Sequence, residues 1–140
     1  EVAQRFLPAG VVVTTQGQAA EFSGRVFTSD AGMTASDVPL VLLVDARTMS
    51  AAEVVAAALK DNQRAVLVGE PTFGKGSLQF PLRLHGTGVV RVTIARLVAP
   101  SGPLAAGVAP HAHESDPGRQ LGLAADRAAD LLRPVPALAP

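Results

Sequence analysis

The chain has 140 residues, 48% of them apolar, with twelve Lys and Arg balanced by twelve Asp and Glu and no cysteine at all. That length suits one domain with one core, and a balanced charge with no run of five like charges excludes the electrostatic footprint of a nucleic-acid or anionic-lipid binder. Without thiols there is no disulfide framework or thiolate metal site, and any nucleophile must be a hydroxyl, an amine or a carboxylate.

No apolar run approaches the ~20 residues that cross a bilayer as a helix, so the chain is expected to be soluble. The opening "EVAQRFLP" has neither a methionine nor a signal-like segment. It reads as the tail of a helix, with Val2, Phe6 and Leu7 on one face and Pro8 and Gly10 as the stop, as expected of a piece of a longer protein. "VVVTT" from Val11, the turn "QGQ" and "AEFSGRVF" from Ala20 predict two short paired strands, and "TSDAGMTASD" from Thr28 a polar loop.

From Pro39 the pattern sharpens. "PLVLLVD" is a continuous apolar run of strand length, "SAAEVVAAALKDN" a helix and "RAVLVG" a second apolar run, which together predict a βαβ unit. Unbroken apolarity predicts parallel strands covered on both faces, and a helix apolar nearly all round predicts an interior one. Beyond Lys75 the period becomes two: "SLQFPLRL" and "VVRVTIARLV" flank "HGTG", as in an antiparallel hairpin. "APSGPLAAGVAP" then reads as loop and "GLAADRAADLL" has helical spacing. Residues 1–133 are thus expected to form one unit of α/β class, and residues 134–140 a proline-rich tail.

"GEPTFGKGS", starting at Gly69, invites two chemistries. Gly69, Gly74 and Lys75 satisfy most of the phosphate-binding pattern GxxxxGK[ST], but Gly76 stands where the magnesium-binding Ser or Thr belongs. A phosphate loop must also lead into a helix whose N–H groups face the anion, whereas Pro81 and alternating strand-like residues follow. The second chemistry makes Lys75 a base. Ser50 lies between the first apolar strand and its helix, and Lys75 follows the second strand, so neighbouring parallel strands would open both onto one rim. A free lysine with pKa ~10.4 is neutral in only about one molecule in a thousand near pH 7. Phe73, Leu78 and Phe80 are the candidate apolar walls that would desolvate it. A plainer account of Ser50 also stands: with Glu53 it forms S-x-x-E, a capping box at the start of a helix.

With Ser50, Glu53 and Lys75 assembled, residues 39–110 resemble the carboxyl-terminal processing, or tail-specific, proteases, which are Ser/Lys serine peptidases. "GEPTFGKGSLQ" is similar to that family's G-E-x-T-F-G-K-G-[ST]-x-Q, "DARTMSAAEV" to its N-x-x-S-A-S-A-S-E-I, and "TIARLVAPSG" and "GVAP" to its later strand and turn. The resemblance implies a ClpP/crotonase-like spiral with a βαβ core plus an antiparallel hairpin. It implies Ser50 as nucleophile, Lys75 as general base, Gln79 as orienting residue and the Ala51 N–H as an oxyanion donor, with Glu53 in support. It further implies a protein or peptide substrate cleaved near its carboxyl end, no metal or organic cofactor, and an extracytoplasmic setting, periplasmic or at the cell envelope with an anchor upstream; assembly into a homo-oligomer is compatible with it. Asp45 stands for the family's Asn, and Met49 and Ala52 for its Ala and Ser. The family's glycine-rich oxyanion segment and its PDZ module are not among these 140 residues. Loss of one oxyanion donor costs about 10²- to 10³-fold in rate, which leaves a truncated relative that binds peptides or hydrophobic ligands as the alternative.

Three other features invite a chemical reading. "HAHE" (His111, His113, Glu114) lacks a clear third and fourth zinc ligand. His85 in "HGTG" reads as a solvated turn residue. Asp45, at a strand end, reads as a loop brace before it reads as an acid.

Overall fold

The computed structural model describes residues 1–30, 32, 38–86, 88–110, 112–113 and 126. Two sheets share one helix. The antiparallel sheet runs in the order β2 (Val26–Ser29), β1 (Gly10–Gly17), β6 (Val89–Ala99), β5 (Ser77–Arg83), with the short β7 (Gly102–Pro103) also on β6. The parallel sheet is β3 (Leu40–Val44), β4 (Ala65–Gly69), β8 (Ala112–His113), and α1 (Ala51–Asp61) connects β3 to β4. The expected βαβ unit is present and its two strands are direct neighbours, paired from Leu40 with Ala65 to Val44 with Gly69. The hairpin is present as well, with Phe80 opposite Val92 and Leu82 opposite Val90. Its turn closes with Leu84 N–H donating to Gly88 O at 3.0 Å, and His85 is exposed there.

α1 buries Ala56, Ala57, Ala58 and Leu59. Small residues on that face let the helix approach both sheets, and Ala56, Ala57 and Leu59 build one core with Leu7, Val44, Ala65, Leu67, Ala99, Leu104 and Val108. Pro81 sits in β5, the edge strand of its sheet, where a residue without an N–H breaks no ladder bond.

Three expectations are corrected. The opening segment is a 3-10 turn, Ala3–Arg5, closed at its end by one α-helical bond from Leu7 N–H to Ala3 O at 2.8 Å, and Ala3 and Leu7 are buried while Val2 is exposed. The second strand starts at Val26, because residues 20–22 form another 3-10 turn. The parallel strands are not covered equally: β4 is buried, whereas Leu43 of β3 is 47% exposed, since β3 lies at the sheet edge and no described element packs over that side. Apart from Asp126, which is helical, the expected later helix from Gly122 falls outside the described residues, as do the proline-rich tail and most of the loop after Ser29. Ala112 and His113 add a third parallel strand on Val68 and Gly69.

Candidate active site

The rim at the carboxyl ends of β3 and β4 carries both candidate segments. Asp45 begins the first of them. Its Oδ1 accepts hydrogen bonds from Arg47 N–H at 3.0 Å, Thr48 N–H at 2.9 Å and the Thr48 hydroxyl at 3.1 Å, while Thr48 Oγ1 accepts from Asp45 N–H at 3.1 Å. This is the loop brace expected of Asp45, built as an Asx turn that fixes the approach to Ser50. The Thr48 hydroxyl, followed by the Arg47 and Thr48 N–H groups and the Arg47 charge, holds the Asp45 carboxyl below its ordinary value of 3.8. A carboxyl with a depressed folded pKa stabilises the fold above its unfolded pKa, and that contribution is lost as pH falls through the folded value. The Arg47 and Thr48 amides are therefore expected to exchange faster as pH drops below about 4, after correction for intrinsic rates, and Asp45→Asn is expected to remove that step.

Ser50 is the N-cap of α1 with φ 56° and ψ −119°, a left-handed conformation that side chains adopt at a cost of about 1–3 kcal/mol. Such a conformation is held only by its surroundings. Here Ser50 N–H donates to Glu53 Oε2 at 2.8 Å, the Glu53 half of the expected capping box. Because glycine accepts this backbone freely and caps helices almost as well, Ser50→Gly is expected to raise stability by about 1 kcal/mol, read as a higher urea midpoint at unchanged slope.

Glu53 does more than cap. It is 0% exposed, and its carboxylate accepts from the Lys75 N–H at 2.8 Å on Oε2, and from the Gly74 N–H and the Thr72 hydroxyl, each at 2.6 Å, on Oε1. With Ser50 that makes four donors, which fills the roughly four lone-pair sites a carboxylate offers. A buried charge is costly unless fully hydrogen-bonded, and this one is, at the start of a helix whose dipole favours it. Two bonds of 2.8 Å to the same oxygen hold the Ser50 and Lys75 backbone nitrogens within about 6 Å of one another. Phe73 N–H on Thr48 O at 3.0 Å and Glu70 N–H on Val44 O at 3.0 Å tie the same two segments together along their length.

The glycines of the lysine loop have a steric cause. Gly74 has φ 87°, and a Cβ there would lie 2.9 Å from Ala105 O; at Gly76 it would lie 2.4 Å from Ala105 N. Gly76 thus stands where a phosphate loop needs Ser or Thr because the backbone at Leu104 and Ala105 passes against it. β5 follows directly, with no helix to receive an anion.

Lys75 is half-buried, and its side-chain nitrogen makes no hydrogen bond or ion pair among the described residues. The apolar walls expected around it are not closed: Phe73 is 62% exposed, and Leu78 and Phe80 are also exposed. The two β5 side chains belong to a hairpin whose Val90 and Val92 are exposed too, and no described element covers it. Gln79 is exposed on β5 opposite Thr93, where the pairing steps from Ala95 to Thr93 and leaves Ile94 of β6 as the extra residue of a bulge, the kind of irregularity that re-aims a side chain. Ala51 opens α1 and is exposed, so its N–H belongs to the unsatisfied first turn. An apolar pocket of about 460 Å³ borders the serine segment, lined by Leu42, Val44, Thr48, Ala51, Ala52 and Val55 among others. Among the described residues no three His, Cys, Asp or Glu side chains gather as a metal site. Sequence reasoning gave Glu53 a capping bond and a supporting place without its reach to the lysine loop, and passed over Thr72; the Thr of "EPTFG" was the available signal.

The sequence pattern of peptidase family S41 matches residues 1–113. The chain is 42% identical over 100 residues to the carboxyl-terminal-processing protease of Synechocystis sp. (strain ATCC 27184 / PCC 6803 / Kazusa), a match covering 71% of this chain and 23% of that protein. It is 44% identical over 103 residues to carboxyl-terminal-processing peptidase 1, chloroplastic, of Arabidopsis thaliana, covering 72% of this chain and 20% of that one. Among solved structures, the photosystem II D1 C-terminal processing protease superposes with a TM-score of 0.71 at 35% identity, over 81% of this chain and 30% of that one. A lipoprotein from Streptococcus agalactiae shares the fold at a TM-score of 0.69 and 14% identity, over 90% and 48%. The chain spans about a quarter of the length of the curated relatives it matches.

Proposed function

The chain belongs to peptidase family S41, and from that premise we propose that it carries the nucleophile and the base of a serine endopeptidase that cleaves unfolded or apolar-tailed proteins near their carboxyl ends. Ser50 attacks the peptide carbonyl; Lys75 takes its proton and returns it to the leaving amine; the Ala51 N–H faces the oxyanion; Gln79 orients the lysine. Residues 1–133 belong to the catalytic domain, residues 134–140 trail from it, and the setting is extracytoplasmic. No metal or organic cofactor takes part in a reaction so divided between a hydroxyl and an amine. A protein or peptide chain is the partner, and the balanced surface charge offers no track for nucleic acid.

The observation that carries the proposal is the shared anchoring of Ser50 N–H and Lys75 N–H on one oxygen of Glu53. Positioning of this kind converts distant groups into effective neighbours. The apolar pocket beside the first turn of α1 suits an uncharged substrate side chain.

Treating the full-length enzyme with a fluorophosphonate and mapping the adduct by mass spectrometry tests the assignment. Modification at Ser50, slowed by Lys75→Ala, is expected. An adduct that maps elsewhere and survives Ser50→Ala would instead favour the reading of this domain as a peptide-binding relative.

A further inference from the structure

The Thr72 hydroxyl stands between the lysine loop and the loop that follows β7. Thr72 is buried at 7% exposure; its Oγ1 accepts from Val108 N–H at 2.7 Å and donates to Glu53 Oε1 at 2.6 Å. A hydroxyl has one proton. With the Val108 amide already donating to the oxygen, and the Glu53 carboxylate able only to accept, that proton has a single direction. A second bond, Thr72 N–H to Val108 O at 3.2 Å, makes the contact with Val108 reciprocal. Gly107 lets the two segments meet, since a Cβ there would lie 2.6 Å from Thr72 O.

Resting on the Ser50/Lys75 reading, we propose that Thr72 is a positioning residue for the peptidase reaction: its hydroxyl fixes where the Glu53 carboxylate, and through it the Lys75 backbone, sits, and ties that position to the segment from Leu104 to Val108. Thr72 touches neither substrate nor reacting atoms. It acts by supplying one of the four donors that define the carboxylate's place, so its loss lets Glu53 shift toward the remaining three and carries the Lys75 backbone with it. The downstream segment thereby becomes part of the active-site frame. It packs against Gly74 and Gly76 on one side and hands Val108 to Thr72 on the other.

The test uses the full-length enzyme and an internally quenched peptide, comparing Thr72→Val, Thr72→Ser and Thr72→Cys, with Ser50→Ala and Lys75→Ala as controls. Thr72→Val keeps the volume but removes the donor; a bond of this charged, buried kind corresponds to about a tenfold or larger fall in kcat, with KM within about twofold. Thr72→Ser is expected to stay within about threefold of the parent, and Thr72→Cys, a weak donor, to fall between them. A merely structural threonine would lower the melting temperature and leave kcat unchanged well below it, and that outcome overturns the proposal. If Thr72→Val does not fold, equal kcat for the Ser and Cys variants overturns it just as well. Activity persisting in Ser50→Ala or Lys75→Ala would instead bring down the Ser/Lys reading; inactive controls beside an unaffected Thr72→Val leave that reading intact and remove only this inference.

Discussion

Glu53→Gln is expected to lower stability by about 3 kcal/mol or more and to reduce activity of the full-length enzyme by at least about 100-fold. The change is nearly isosteric, so no cavity accounts for it. The carboxylate meets donors on both oxygens: Ser50 N–H and Lys75 N–H on Oε2, Thr72 Oγ1–H and Gly74 N–H on Oε1. An amide accepts on one side only. Whichever way it turns, its NH₂ faces a pair of donors, and an orphaned buried donor costs about 1–3 kcal/mol. The activity loss follows from geometry, because a displacement of about 1 Å in a catalytic group can cost about 100-fold. A urea titration gives the first quantity and kcat/KM for an unfolded substrate the second. A variant as stable as the parent would mean that the four bonds carry little of the site's rigidity.

Lys75→Ala is expected to separate the two effects. Loss of a general base costs about 10²- to 10⁴-fold in rate. Stability should change by less than about 0.5 kcal/mol, because Lys75 is only half-buried and its side-chain nitrogen makes no hydrogen bond or ion pair among the described residues. The backbone N–H that Glu53 holds is kept by alanine. A large fall in kcat with an unmoved urea midpoint is the expected pair of readings, whereas a fall in both would assign Lys75 to the scaffold.

The contrast explains what could be read from sequence. The βαβ unit was legible because β3, α1 and β4 owe their form to local pattern: unbroken apolar runs of strand length around an alanine-rich helix. The hairpin was legible from period-two residues around "HGTG". Ser50 and Lys75 could be placed on one rim because parallel neighbours open the same way, and β3 and β4 are neighbours. The tie between them was not legible. S-x-x-E announces a bond over three residues, and nothing in that pattern reveals that the same carboxylate reaches 21 and 22 residues onward to Gly74 and Lys75. The two glycines flanking Lys75 were visible as letters, but their cause, the backbone at Ala105, lies about thirty residues away and is a tertiary fact. The apolar walls were misjudged for a related reason. Phe73, Leu78 and Phe80 have the right chemistry, yet enclosure depends on what packs over them, and no described element does.

Amide hydrogen exchange read residue by residue in ¹⁵N-labelled protein tests the central claim most directly, that one buried carboxylate joins the serine turn to the lysine loop. The Ser50, Gly74 and Lys75 amides should exchange slowly with a common opening free energy. All three should become fast together in Glu53→Ala, which removes both acceptor oxygens, while Val68 of β4 stays protected as the sign of a folded core. Ser50 and Lys75 amides that open independently, or that keep their protection in Glu53→Ala, would contradict it.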